Sequence, residues 1–124
     1  MKINEPDVLA EVTAAFERYE RAVNDNDVAV LTESFWNSPL TVRYGNAEEL
    51  HGFDQISQFR SSNRLQNYRR ELTRVVITTF GKDFATASCQ FRRLESGRTG
   101  RQMQSWVRTP DGWRVVAAHV SMPT

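Results

Sequence analysis

The hydrophobic pattern of this chain changes its period near residue 70, and this change limits the folds that the chain can adopt. Before it, apolar residues recur every three or four positions, as in amphipathic helices. After it, apolar and polar residues alternate in four runs rich in Val, Ile, Thr and aromatic residues, which predicts strands. The predicted strands are Glu71–Phe80, Phe84–Leu94, Arg101–Thr109 and Trp113–Met122. Because short, turn-like segments join them, we expect consecutive antiparallel strands.

Three helices and one strand are predicted in the first half. Apolar spacing predicts a long helix over residues 5–24, a short one from Asp27 to about Phe35, and a third over 53–62. Asn4 and Pro6 fit a helix start, and Asp27 fits an N-cap. Between the second and third helices, PLTVRYGN (39–46) predicts a strand. This order predicts one α+β domain over residues 1–124, with the N-terminal helices packed in the concave face of a curved antiparallel sheet. Such a cone has a hollow mouth, where pockets are common.

Composition excludes several classes of function. The hydrophobic fraction of 40% and charged fraction of 25% are those of a globular protein. No apolar run reaches the roughly 20 residues of a membrane helix, and MKINEPD has no secretory pattern, so we predict a cytoplasmic protein without membrane contact. The single cysteine, Cys89, is expected to pack in the core. His51, His119 and Cys89 lack metal-ligand spacing, so neither a metal site nor another cofactor is predicted.

The charges are distributed unevenly along the chain. Residues 1–65 hold 6 basic and 11 acidic side chains, whereas residues 66–124 hold 10 basic and 4 acidic ones. Of the 16 basic residues 14 are arginine, whose planar fork suits bidentate contacts with carboxylate or phosphate. The base composition of a genome would give the same bias. Nucleic-acid binding is not predicted, because the net charge is only +1 and no RNA- or DNA-binding signature is present.

Arg43 is the most informative residue of the predicted first strand. It lies either on a solvated face or, with Thr41, in the hollow, while Leu40, Val42 and Tyr44 pack beneath the helices. In the hollow it would lie near Tyr19, whose ring shares the apolar stripe of the first helix. A buried cation needs a negative partner, and a bound anionic substrate is one candidate. A tyrosine anchored to a backbone carbonyl is the alternative for Tyr19.

Strict alternation in the last strand predicts its two faces. Trp113, Val115, Ala117, His119 and Ser121 share one face, and Trp113 should fill the narrow end of the cone. His119 and Ser121 would then line its polar mouth, although a structural histidine is the alternative for His119. The opposite face would carry an apolar patch of Val116, Ala118 and Val120. Such a patch predicts a homodimer.

The segments ERYERAV (17–23), FWNSPLTVRYG (35–45), VVITTFGKDFATA (75–87), GRQMQSWVR (100–108) and GWRVVAAHVS (112–121) resemble the AtzH-like branch of the SnoaL-like, nuclear transport factor two-like superfamily. The resemblance covers essentially the whole chain. The branch includes a decarboxylating amidohydrolase, dicarboxyurea deamidase, and relatives associated with oxalurate catabolism that are often encoded beside an amidase. The inward carboxylate of ketosteroid isomerases and the Asp/His arrangement of scytalone dehydratases, which share this fold, have no counterpart in this chain.

The resemblance implies that Tyr19 and Arg43 are the catalytic pair, with Trp36, Asn37, Arg70 and His119 as further lining residues. One hypothesis is therefore a cofactor-free amidohydrolase that decarboxylates a small carboxylated urea or amide, with Tyr19 as general acid or base. A second is a non-catalytic, small-molecule-binding partner of an amidase, and a third is an unrelated binding module. In the amidohydrolase hypothesis, Arg43 and Arg70 bind a carboxylate of the substrate, and Asn37 or His119 holds a carbonyl group or a water molecule.

Overall fold

The computed structural model describes residues 1–123, which form helices packed on one curved sheet. Its helices are α1 (Pro6–Asp25), α2 (Val28–Glu33) and α3 (Phe53–Ser62). Its strands are β1 (Val42–Tyr44), β2 (Glu49–His51), β3 (Arg70–Phe80), β4 (Phe84–Arg93), β5 (Thr99–Thr109) and β6 (Gly112–Ser121). The α+β fold class is confirmed. No helix within residues 1–123 is long and apolar enough to cross a membrane.

The six strands form one sheet in the order β2-β1-β6-β5-β4-β3. Strands β3 to β6 are the predicted antiparallel meander. Strand β1 pairs in parallel with β6, at the end of the meander opposite β3, and Val42 lies opposite Ala117. Strand β2, which the sequence pattern did not predict, is a three-residue edge paired antiparallel with β1. The sheet therefore brings β1, from the helical half of the chain, beside the last strand.

Helix α1 covers the concave face with a stripe of buried side chains at helical spacing. These are Val8, Val12, Phe16, Tyr19, Ala22 and Val23. Asp27 caps α2 as predicted, since its carboxylate accepts from Val30 N at 3.2 Å. Asn4 does not cap α1: its side-chain oxygen accepts from Thr79 N at 2.8 Å, which attaches the N-terminal segment to β3.

A β-bulge in β6 overturns the predicted faces of the last strand. Trp106 pairs with Val115, but the preceding Ser105 pairs with Ala117, so Val116 is an extra residue with no partner on β5. One extra residue reverses which side chains face each side of the sheet. Before the bulge, the predicted inward residues Trp113 and Val115 are buried. After it, Val120 and Met122 are buried instead, whereas Ala117 and His119 are exposed.

The prediction that Val116, Ala118 and Val120 form an outer apolar patch is therefore wrong. Ala118 packs against the main core cluster, and Val120 forms a small second cluster with Phe91 and Met122. Neither side chain is free to form an outer surface. The outer face of the sheet instead presents Met103, which is 64% exposed.

Truncation of Trp113 is expected to destabilise the fold, as the sequence predicts. Its side chain is only 8% exposed and belongs to the main core cluster, while its indole N–H donates to Glu11 Oε1 at 3.1 Å. Removing a buried Trp side chain leaves a cavity, so Trp113→Ala should lower the free energy of unfolding by about 3–5 kcal/mol. Chemical denaturation measures this loss. An unchanged stability would contradict the core role, and Leu65→Ala, at a 90% exposed position, serves as the control.

Candidate active site

A cavity of about 400 Å³ opens at the mouth of the cone, between α1, α3 and the sheet. Its lining includes the five arginines Arg43, Arg60, Arg70, Arg93 and Arg98. Polar and aromatic groups from Tyr19, Asn46, Asn63, Gln66, Tyr68, Gln102 and Phe59 also line it. Among its described lining residues, Glu48 is the only carboxylate. The cavity is therefore strongly cationic.

Arg43 reaches this cavity from β1. Thr41 and Arg43 are buried, whereas Leu40 and Tyr44 are 74% and 38% exposed, so the expectation that these two pack beneath the helices is wrong. The Arg43 Nη1 group donates to Glu48 Oε1 at 2.7 Å. Its Nε is buried without a hydrogen-bond partner within the described part of the chain. Arg43 thus has a carboxylate partner from its own chain and retains unused donor capacity.

Arg60, on α3, is the functional candidate that sequence reasoning missed. Its side chain is buried, its Nη2 donates to the Tyr19 hydroxyl at 3.0 Å, and its Nε has no partner among residues 1–123. Burial lowers the pKa of Arg60, an effect that Tyr19 opposes and Arg43 reinforces. Helical spacing indicated that Arg60 faces inwards, because it lies four residues after Ile56 and shares the buried face of α3.

Tyr19 lies at the floor of the cavity and is held by two aromatic rings. Edge-to-face contacts join it to Phe35 at 6.2 Å and to Trp106 at 6.4 Å between ring centroids. Its ring is buried in the core, and its hydroxyl accepts the Arg60 hydrogen bond. The partner is therefore a guanidinium, not the backbone carbonyl considered from sequence. The phenol oxygen therefore lies beside a buried cation at the cavity floor.

Phe59 contacts the guanidinium groups of both Arg43 and Arg60. The Cζ of Arg43 lies 5.2 Å from the Phe59 ring centroid, and that of Arg60 lies 5.9 Å from it. Cation–π contacts of this kind partly compensate the loss of hydration of a buried cation. The buried hydrogen-bonding capacity that remains on each group is its Nε, which has no partner among residues 1–123.

Arg70 lines the same cavity but is already neutralised. Its Nε and Nη2 donate to the two Glu20 carboxylate oxygens at 2.9 and 2.7 Å, and Nη2 also donates to Gln102 at 3.2 Å. Its Cζ lies 4.6 Å from the Phe91 ring centroid. This bidentate pair fixes α1 to β3 at the cavity wall. Arg70 is therefore less suited than Arg43 or Arg60 to hold a ligand carboxylate.

The outer part of the cavity carries Arg93, Arg98 and Tyr68. The Arg93 guanidinium lies over the Tyr68 ring, 5.4 Å from its centroid. Burial raises the pKa of the Tyr68 hydroxyl, although the charges of Arg60, Arg93 and Arg43 oppose the rise. This hydroxyl is therefore neutral near pH 7. The positive charges of Arg93 and Arg98 attract anions towards the interior of the cavity.

Four residues predicted for the site lie elsewhere. Trp36 and Asn37 line a separate depression beside α2. The bulge at Val116 places His119 and Ser121 on the outer face of the sheet, so their predicted position in the hollow is wrong. The structure brings together Tyr19, Arg43 and Arg70 and adds Arg60 and Glu48 to them.

The architecture is that of the nuclear transport factor two-like and cystatin-like folds, with a cationic cavity in the cone. The chain belongs to the AtzH-like family, whose model matches residues 1–124. No curated protein matches it significantly in sequence.

Three solved structures illustrate the similarity. A protein of unknown function from Pectobacterium atrosepticum is 53% identical, with a TM-score of 0.94 over 98% of this chain and 95% of the other. A cystatin-like fold protein from Burkholderia xenovorans is 48% identical, with a TM-score of 0.92 over 98% and 96%. A nuclear transport factor two-like protein from Salmonella enterica is 26% identical, with a TM-score of 0.75 over 95% and 92%. These comparisons establish the family and the fold.

Proposed function

We propose that this protein is a cofactor-free amidohydrolase that acts, with decarboxylation, on a small carboxylated urea or amide such as dicarboxyurea or an oxalurate-like compound. Its role would be in cytoplasmic catabolism of nitrogen compounds. The observation that carries the proposal is that buried Arg43 and Arg60 line one cavity with Tyr19, whose hydroxyl accepts a hydrogen bond from Arg60. Both arginines keep an unpartnered buried Nε within residues 1–123, and an anion would satisfy these donors.

The groups that line the cavity are of the kinds that this chemistry uses. For a terminal N-carboxylate, the bond between nitrogen and the carboxyl carbon breaks, carbon dioxide leaves, and the electron pair on nitrogen takes up a proton. For hydrolysis of an amide, the oxygen of water bonds to the carbonyl carbon, the C–N bond breaks, and the leaving nitrogen takes up the proton that water loses. In each case Tyr19 would donate the proton to nitrogen and recover one from water, so no redox partner is needed. Arg43 would bind a carboxylate, and Arg60 would hold the tyrosine oxygen and stabilise negative charge on it.

A non-catalytic, anion-binding partner of an amidase is the second candidate. The specific observation in its favour is that Glu48, the one carboxylate among the described lining residues, is engaged by Arg43 and is therefore not free to act as a base. A cavity rich in arginine and poor in bases also suits ligand binding without turnover.

Purified protein assayed with dicarboxyurea and with oxalurate separates these candidates. Release of carbon dioxide or ammonia, above that of a boiled sample, would support the enzyme. Binding of either compound by calorimetry without turnover would favour the accessory role. Absence of both turnover and binding would contradict both proposals.

We also expect a homodimer through the outer face of the sheet. One cross-strand row on this face runs from Val76 through Ser88, Met103 and His119 to Tyr44. Val76 is 56% exposed and Met103 64% exposed, which is unusual for large apolar residues in the middle of a strand. A two-fold contact would bury this row against its copy.

The charged substitution Met103→Glu should convert the dimer to a monomer at micromolar concentration, because two carboxylates would meet in the interface. Light scattering measures the mass. Leu65→Glu, at an exposed position outside the sheet, adds the same charge and should leave the dimer intact. A wild-type monomer would contradict the expectation.

A further inference from the structure

Glu48 occupies the position that a ligand carboxylate would take on Arg43. Its Oε1 accepts the 2.7 Å hydrogen bond from Arg43 Nη1, and its Oε2 lies 3.2 Å from the backbone nitrogen of Ala47. The Glu48 side chain is 21% exposed and that of Arg43 is 9% exposed. Water therefore reaches the carboxylate more readily than the guanidinium. The carboxylate is held over the arginine from the solvent side.

The loop between β1 and β2 is built to fold this side chain back. Gly45 N donates to Glu48 O at 2.9 Å, which closes the turn. A Cβ added at Gly45 would overlap the Glu48 carboxylate, so the carboxylate reaches Arg43 only because residue 45 has no side chain. The backbone conformation at residue 45 does not require glycine, because its φ lies outside the left-handed region. Glycine at position 45 thus leaves room for the Glu48 carboxylate beside Arg43.

We infer that Glu48 is an internal competitor for Arg43, which an anionic ligand must displace. The inference rests on the proposed function of Arg43 as a carboxylate-binding residue. A neutral ligand has no charge with which to replace Glu48, so exchange at Arg43 selects for anions. On displacement, the Glu48 carboxylate turns to solvent at the loop surface. Glu48 therefore determines the specificity and the affinity of the site.

Two variants remove the competitor in different ways. Glu48→Gln removes its charge and leaves a weaker, neutral hydrogen bond to Arg43. Gly45→Ala keeps every charge of the chain but forces the carboxylate off the arginine. Both should bind malonate, a small dicarboxylate probe, about tenfold more tightly than the wild type, as measured by calorimetry. Glu49→Gln is the matched control, because Glu49 is exposed and adjacent but does not line the cavity.

The outcomes separate this inference from the proposed function. Tighter binding in Glu48→Gln but not in Gly45→Ala would mean that only the negative field of Glu48 matters, and it would overturn displacement. Unchanged or weaker binding in both variants, with native melting curves, would overturn it as well. If Arg43→Ala abolishes malonate binding while the loop variants have no effect, only the competitor role fails. If Arg43→Ala leaves malonate binding intact, the proposed anion site itself fails.

Discussion

Replacing Arg43 with alanine should abolish turnover of a carboxylated substrate and weaken binding of malonate at least a hundredfold. The physical reason is that Arg43 presents a buried guanidinium, with an unpartnered Nε, to the cavity. Its loss removes charge-assisted hydrogen bonds that water cannot replace in a desolvated site. Arg43→Lys should restore little activity, because an ammonium group cannot form the bidentate contact. Steady-state rates and calorimetry provide both measurements.

The effect of the same substitution on stability distinguishes ligand binding from a structural role. From sequence, an uncompensated Arg43 would be a source of strain, and its removal would not destabilise the fold. The structure gives it a partner in Glu48, so we expect a loss of about 1–2 kcal/mol, limited because that carboxylate can turn to water. Arg98→Ala, which removes an exposed charge from the same cavity, is the control. A large loss of stability with normal ligand binding would contradict the proposed role.

Tyr19→Phe should reduce the turnover rate by about 10²–10⁴-fold while changing substrate affinity much less. The substitution removes only the hydroxyl, which is the group proposed to transfer a proton, and keeps the ring contacts with Phe35 and Trp106. Separate determination of kcat and KM tests this division. An equal rise in KM with unchanged kcat would assign the hydroxyl to binding instead of proton transfer.

A stability cost is also expected from Tyr19→Phe. The hydroxyl is the hydrogen-bond partner of buried Arg60, so its removal should cost about 1–3 kcal/mol of unfolding free energy. Tyr68→Phe removes a hydroxyl from the same cavity without affecting that bond, and it should change both stability and kcat less. If the two variants lose rate equally, Tyr19 has no special role in catalysis.

The spacing of apolar and polar residues along the chain was sufficient to predict most of the architecture. The helical stripe of α1, the Asp27 cap and the four alternating strands depend on spacing between near neighbours, and spacing is visible in the sequence. Alternation placed Arg43 and Thr41 on the same face but left open whether that face was solvated, and the structure shows both side chains buried. The three-residue strand β2 was not predicted.

The composition of the cavity was decided by tertiary structure. Alternation assumes an unbroken strand, and the bulge at Val116 reversed it, which moved His119 and Ser121 to the outer face. The meeting of Arg60 with Tyr19, 41 residues apart, depends on how α3 packs beside α1.

The sequence by itself determined the fold class, and its family resemblance named Tyr19, Arg43 and Arg70 among the site residues, which line one cavity. Only the tertiary structure decided which of the cations are free. Arg70 is neutralised by Glu20, 50 residues away, whereas Glu48 reaches Arg43 across a loop that requires Gly45. A pattern of residue types specifies which face a side chain occupies, but the charge of a buried site depends on distances between atoms from distant segments, since desolvated charges interact strongly at short range.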